Sequence, residues 1–232
     1  MRTSGTEQAM ASTSMQATRT SVLLFAFLLG VAAGSSAAQP QPKGNAFTVY
    51  AAYRDGGSFT DVASGSSLPI EASGAWAISL DLNPDHRAGT QVQIYVSRQS
   101  SDVDARNATP PPPPGTPLPA KIPMAVTYAH IGGIAFLDKK IGQGVYLAGG
   151  IGATLFEPDL NGLANELRPS ISLALGYQLP LGERLALRFE ARGYATLVSS
   201  DSALFCSGGC VISIKGNTVT QGDVQLGLSF RF

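Results

Sequence analysis

Charge is scarce in this chain of 232 residues: Lys, Arg, Asp and Glu together make up 14%, sixteen of each sign, and the formal net charge is zero. A chain with no positive excess has no electrostatic footprint for nucleic acid. Only two cysteines and two histidines occur, which leaves little for a zinc site or a thiol enzyme. After the N-terminal apolar stretch, no run reaches the ~18 residues of a membrane-spanning helix, which excludes a helical membrane protein. Hydrophobic residues are an ordinary 44%, whereas the charged fraction falls well below the ~25% usual for a soluble domain. Something other than charge covers part of this surface.

Residues 21–33, SVLLFAFLLGVAA, follow Arg19, and Ser36-Ala37-Ala38 supplies the small side chains of a cleavage site. The pattern predicts a secretory signal peptide over residues 1–38, cut before Gln39, then a short segment 39–44 and one domain over 45–232. An anchoring helix fits poorly, because the apolar stretch is short and no basic stop-transfer run follows. The region before Arg19 is long and Ser/Thr-rich, and Met15 offers an alternative start. No cysteine stands at the cut, which argues against a lipoprotein.

Past residue 44 the dominant period is 2. It is clearest at the end, where Val224, Leu226, Leu228, Phe230 and Phe232 alternate with Asp223, Gln225, Gly227, Ser229 and Arg231. Leu185, Leu187, Phe189, Ala191, Ala195 and Leu197 alternate in the same way with Arg188, Glu190, Arg192, Tyr194 and Thr196. Similar segments are centred on Ile171–Leu179, Val145–Leu155 and Val92–Val96. Another carries Ile70, Trp76, Ile78 and Leu80 against Glu71, Ser73, Ser79 and Asp81. With noisier segments over Ala46–Arg54 and Ile122–Phe136, eight strands are expected. The connections after strands two, four and six are short and turn-like; those after one, three, five and seven are read as longer and polar. One of the long ones holds Pro110 to Pro114, which cannot join a ladder. Short turns at one end and long loops at the other describe an all-β, antiparallel, up-and-down barrel, the arrangement of transmembrane β-barrels.

Alternation alone does not tell a lipid-facing apolar face from a soluble barrel's core, so composition of the polar face decides. A solvated face would be rich in Lys and Glu. This one carries Ser79, Ala148, Gly150, Gly152, Ser172, Ala174, Gly176, Gly227 and Ser229 beside a few charges, which suits a crowded interior. Glu71, Asp81, Arg188, Glu190, Arg192, Asp223 and Arg231 then point inward as a lumen charge network of both signs, each charge needing a partner. Strands of ~9–11 residues span a bilayer when tilted, closure satisfies the backbone in lipid, and Phe47, Tyr53, Tyr177, Phe230 and Phe232 are candidate aromatic anchors.

In these features the chain resembles the small eight-stranded outer-membrane barrels of Gram-negative bacteria, the architectural group of the OmpA and OmpX transmembrane domains. Ala52-Tyr53-Arg54-Asp55-Gly56-Gly57-Ser58-Phe59, Arg192-Gly193-Tyr194 and Cys206-Ser207-Gly208-Gly209-Cys210 are similar to a family of outer membrane beta-barrel domain proteins. The resemblance implies a location in the bacterial outer membrane. It also implies that Leu226, Leu228, Phe230 and Phe232 form the C-terminal signal read by the barrel assembly machinery.

Cys206 and Cys210 follow a signal that delivers the chain to an oxidising compartment, and a disulfide between them would staple a small external loop. The staple would add little stability, because a short loop has little closure entropy to remove. Arg54, Arg98 and Arg168 are expected near the external rim, where anionic lipopolysaccharide lies. His86 falls in a turn and His130 in mid-strand, neither with a nucleophile and orienting acid at recognisable spacing, so no enzyme, cofactor or metal is expected. Eight strands enclose a space just wide enough for side chains. The functional expectation is a barrel with a packed polar lumen and a structural or surface-interaction role through its external loops, its external ligand unspecified. The alternative is a narrow channel or carrier for small or hydrophobic solutes.

Overall fold

The computed structural model describes residues 44–61, 65–85, 87–107, 119–160, 164–198, 214–215 and 218–232. The expected signal peptide, His86, the proline run and both cysteines lie outside the described residues. Eight strands close the barrel: β1 (Ala46–Asp55), β4 (Ser73–Leu82), β5 (Thr90–Asp104), β6 (Lys121–Phe136), β7 (Gly144–Pro158), β8 (Glu166–Pro180), β9 (Leu185–Leu197) and β11 (Thr218–Arg231). Every neighbouring pair is antiparallel and consecutive in the chain, and β1 pairs with β11 to complete the cylinder. Closure leaves no sheet edge, so each strand's backbone is paired on both sides.

The strands form because period-2 alternation lets each one bury one face and offer the other to lipid. In β9 and β11 the buried and exposed positions alternate along nearly the whole strand. Here the buried side is polar and the exposed side apolar, the reverse of a soluble barrel. Ile151, Leu173 and Val224 stand 68%, 69% and 63% exposed on the outer wall. Phe47 lies opposite Phe230, and Tyr177 opposite Phe189, toward the turn end; Tyr53 and Trp76 sit toward the loop end. That distribution gives an apolar band with aromatic residues toward both borders. Leu173→Arg is expected to lower stability by about 2 kcal/mol, read as a lower urea midpoint of protein folded into liposomes. Leu181→Arg, in the β8–β9 turn, should change little; equal effects would mean that the wall at Leu173 does not face hydrocarbon.

Three elements were not foreseen. β2 (Ser58–Asp61), β3 (Ser67–Pro69) and β10 (Ile214–Lys215) form a separate small sheet in the order β10-β2-β3 at the loop end. Their segments are too short to show a period. Ile70, read as part of the lipid-facing row of Trp76, lies before β4; it is buried and bridges Val103. The connection after β7, residues 159–165, is no longer than the turns at the opposite end.

Candidate functional site

Among the described residues, chemistry-bearing side chains converge in the interior. Strand parity puts them there: Tyr50 and Arg54 from β1, Asp81 from β4, Gln93 and Tyr95 from β5, Arg188, Glu190, Arg192 and Tyr194 from β9, and Asp223 and Gln225 from β11 are all buried.

Three ion pairs organise the space. Nearest the loop end, Arg54 Nη2 lies 2.7 Å from Asp223 Oδ2 and donates to Ser97 Oγ at 2.5 Å, while the Tyr194 hydroxyl donates to the same carboxylate at 2.9 Å. The Arg54 guanidinium is held against the rings of Tyr128 and Tyr194, at 4.9 and 4.7 Å from their centroids. In the middle, Arg192 Nε donates to Glu190 Oε1 at 2.8 Å and Arg192 Nη2 to Gln93 Oε1 at 3.0 Å. Glu190 also accepts from Gln225 Nε2 at 2.7 Å and from the Tyr146 hydroxyl at 2.8 Å. Toward the turn end, Arg188 Nη1 donates to Asp81 Oδ2 at 2.6 Å, with Tyr50 and Gln178 as further partners.

These pairs form one network. Tyr194 and Tyr95 hydroxyls lie 2.8 Å apart, Tyr95 donates to Gln225 at 3.3 Å, and Gln93 Nε2 donates to Asp81 at 3.0 Å. Among the described residues, these three guanidinium groups balance three carboxylates, and each ion has hydrogen-bonding partners. Such partners offset the desolvation that would otherwise make buried charge costly.

Space for the tyrosines comes from glycine. A Cβ on Gly176 would lie 2.2 Å from Tyr146 Cζ, and one on Gly227 would lie 2.5 Å from Tyr50 Cδ1. These small residues of the inner face therefore act as sockets for the aromatic ring directly opposite on the neighbouring strand, Gly176 for Tyr146 and Gly227 for Tyr50.

Apolar clusters close both ends. At the turn end Ile134, Phe136, Tyr146, Ala148 and Ala174 pack together, with Ile141 against them. At the loop end Phe59, Leu68 and Ile70 from the β1–β4 connection pack on Val126, Phe156 and Val219 of the wall, Phe59 meeting Phe156 edge-on at 5.5 Å.

Of the residues expected in the lumen, Asp81, Arg188, Glu190, Arg192 and Asp223 are brought together. Glu71 is not: it precedes β4, above the barrel wall, and pairs with Lys121 at 2.6 Å in a partly exposed bridge. Arg231 is not either, since it stands at the last residue of β11 and donates to the Gly182 carbonyl at 2.8 Å across the turn end. Both share the parity of an inward row but lie beyond the enclosed height of the barrel. Arg54, expected at the rim, is fully buried. Its neighbour Tyr53 faces lipid, so strict alternation sends Arg54 inward, a signal the sequence did contain. Tyr194 and Gln225 stand on polar faces read from the sequence, but the network's tyrosines and glutamines were not assigned to it, because they carry no charge to mark them.

Arg98 and Arg168 do lie toward the loop end. Arg98 donates to Thr127 Oγ1 at 2.9 Å and pairs with Glu157, and Arg168 pairs with Glu166 at 3.1 Å. Beyond β5, Arg106 pairs with Asp104, whose hydrogen bond raises the guanidinium pKa above its ordinary value. His130 is buried, its Nε2 2.9 Å from Ser170 Oγ and its ring beside Tyr194. Among the described residues no cluster of His, Cys, Asp or Glu could hold a metal ion.

No protein-family model matches the chain, and its sequence matches no curated protein. Solved structures do match. Neisserial surface protein A superposes with a TM-score of 0.53 at 12% identity, covering 82% of this chain and 97% of that one. OprG of Pseudomonas aeruginosa gives 0.45 at 9% identity, covering 81% and 96%. Ail, the attachment invasion locus protein of Yersinia pestis, in complex with the heparin analogue sucrose octasulfate, gives 0.42 at 13%, covering 81% and 97%. At these identities the likeness is one of fold.

Proposed function

We propose that this bacterial outer-membrane barrel is a non-conducting, non-enzymatic membrane scaffold that presents its external loops to the surroundings of the cell. The observation that carries the reading is the continuous hydrogen-bonded network across the lumen, from Arg54–Asp223 to Arg188–Asp81, with an apolar cluster closing it at each end. An ion crossing the lumen would have to break these buried pairs. Arg98, Lys121 and Arg106 at the loop end suit contact with the phosphates of lipopolysaccharide. Leu226, Leu228 and Phe230 present an unbroken apolar row on the outer face of β11, and with Phe232 after it they suit recognition by the barrel assembly machinery. Deleting Phe232 is expected to reduce the amount of barrel recovered from the outer-membrane fraction; undiminished recovery would remove that role.

The test of the whole reading is electrical. Purified protein that shows heat-modifiable migration in SDS gels should give no steady current in a planar lipid bilayer. A steady current whose ion selectivity changes with Arg192→Gln would replace the scaffold with the narrow-channel reading.

A further inference from the structure

The two ends of the barrel are closed in physically different ways. At the turn end, the buried side chains belong to β6, β7 and β8 themselves, so they cannot leave without unpairing the wall. At the loop end, the described closing side chains come from connections: Phe59, Leu68 and Ile70 between β1 and β4, beside Ala105, Leu160 and Val198 just past the ends of β5, β7 and β9. β2 pairs with β3 through Ser58↔Pro69, Phe59↔Leu68 and Thr60↔Ser67, and with β10, and neither β2 nor β3 is part of the barrel sheet. Around it the described backbone links are the Ile70↔Val103 bridge, the Glu71 N–H donating to the Asp102 carbonyl at 2.8 Å and the Ile70 N–H donating to the Gly57 carbonyl at 2.9 Å. Withdrawal of Phe59, Leu68 and Ile70 would therefore leave every barrel strand paired. At the start of the connection Gly56 and Gly57 hold φ of +84° and +91°, a backbone state that glycine adopts freely.

What those three side chains fill is a cup. Its walls include Ile122, Met124, Val126, Phe156 and Val219, all buried. Beneath them the Tyr128 hydroxyl donates to Gln221 Oε1 at 2.8 Å, and Gln221 Nε2 donates to the Gly56 carbonyl at 3.0 Å. The last bond ties the floor to the base of the hairpin. Gln221 Nε2 also donates to Gln99 Oε1 at 3.2 Å, so lifting the hairpin would free one of its two hydrogens beneath the apolar walls.

We infer that Ser58–Asp61 and Ser67–Ile70 form a displaceable stopper, and that the cup they fill is a binding site, open only to the exterior, for a small apolar molecule carrying one hydrogen-bond acceptor. The molecule replaces the Phe59, Leu68 and Ile70 contacts and takes the Gln221 donor. It gains nothing from the closed state, so its binding shifts the population toward the open one. The inference rests on the sealed turn end of the proposed function, which makes the opened barrel a cup and not a pore.

The test uses the full chain folded in liposomes, with Cys206→Ser and Cys210→Ser and a single reporter, Val219→Cys, probed by a water-soluble maleimide. Labelling should be slow. Adding Phe59→Ser and Leu68→Ser should raise its rate at least about tenfold, as a minor open state becomes a major one. Saturating 1-octanol should then slow it, and the loosened barrel should stay electrically silent. Locking the stopper with Ile70→Cys and Val103→Cys, oxidised to a disulfide, should abolish labelling of the reporter until reductant is added. Unchanged labelling in a loosened variant that remains heat-modifiable, no protection by octanol, or undiminished labelling in the locked protein would each overturn the inference. A current that appears only in the loosened variant would also overturn it, by making the stopper the gate of a pore. A current already present before loosening sinks the scaffold reading instead.

Discussion

Arg188→Leu should destabilise the folded barrel by about 3–5 kcal/mol, the cost of leaving one member of a buried ion pair without its partner. Arg188 and Asp81 are both sealed from solvent, and the guanidinium also joins Tyr50 and Gln178, so its removal strands three partners at once. Asp81 would retain Gln93 and Ser79, neither of which neutralises it. The double variant Arg188→Leu/Asp81→Leu removes both charges and should recover most of the loss, because a buried ion pair exchanged for apolar side chains is often nearly neutral. Urea unfolding in liposomes, followed through the fluorescence of Trp76 on the lipid-facing wall, measures all three proteins. A single variant as stable as the parent would mean that water reaches Asp81, and with it the packed-lumen description would fall.

Gly132→Ala should cost about 3 kcal/mol, at the upper end of what overpacking usually costs. Its Cβ would lie 1.8 Å from the Gly149 carbonyl oxygen and 2.5 Å from Gly150 Cα, so the obstruction is backbone of the paired strand and cannot rotate away. The β6–β7 wall at this height is built from glycines facing each other, Gly132 opposite Gly150 and Gly133 opposite Gly149. Gly193→Ala provides the control: a Cβ there meets nothing within 4 Å, so the added methyl should be neutral or stabilise by a few tenths of a kcal/mol. The same unfolding assay compares the two alanine variants. Equal midpoints would show that β6 and β7 are not pressed together at this point.

Much of the barrel was legible because its physics repeats every two residues. Val224 to Phe232 against Asp223 to Arg231 announces a strand with two unlike faces, and eight such segments with alternating turns and loops leave little choice of topology. Small residues on the polar side then decide which face is inside. That argument correctly turned Arg188, Glu190 and Arg192 inward, yet it placed Glu71 and Arg231 with them, since parity carries no information about height along the barrel axis. It placed Arg54 at the rim because loop-end position was weighed above parity, although Tyr53 beside it already pointed to lipid.

The eight barrel strands and their inside-out polarity were legible in the amino-acid sequence, because both follow from local alternation and composition, whereas the outer-membrane setting came from the resemblance to known barrels. Which charge pairs with which, the fit of Tyr146 over Gly176 and Tyr50 over Gly227, and the packing of Phe59, Leu68 and Ile70 into the outer end emerge only in the folded barrel. Those outcomes depend on the register between neighbouring strands and on distances across the lumen. They are set by the stagger of the closed sheet, which no single strand's pattern contains.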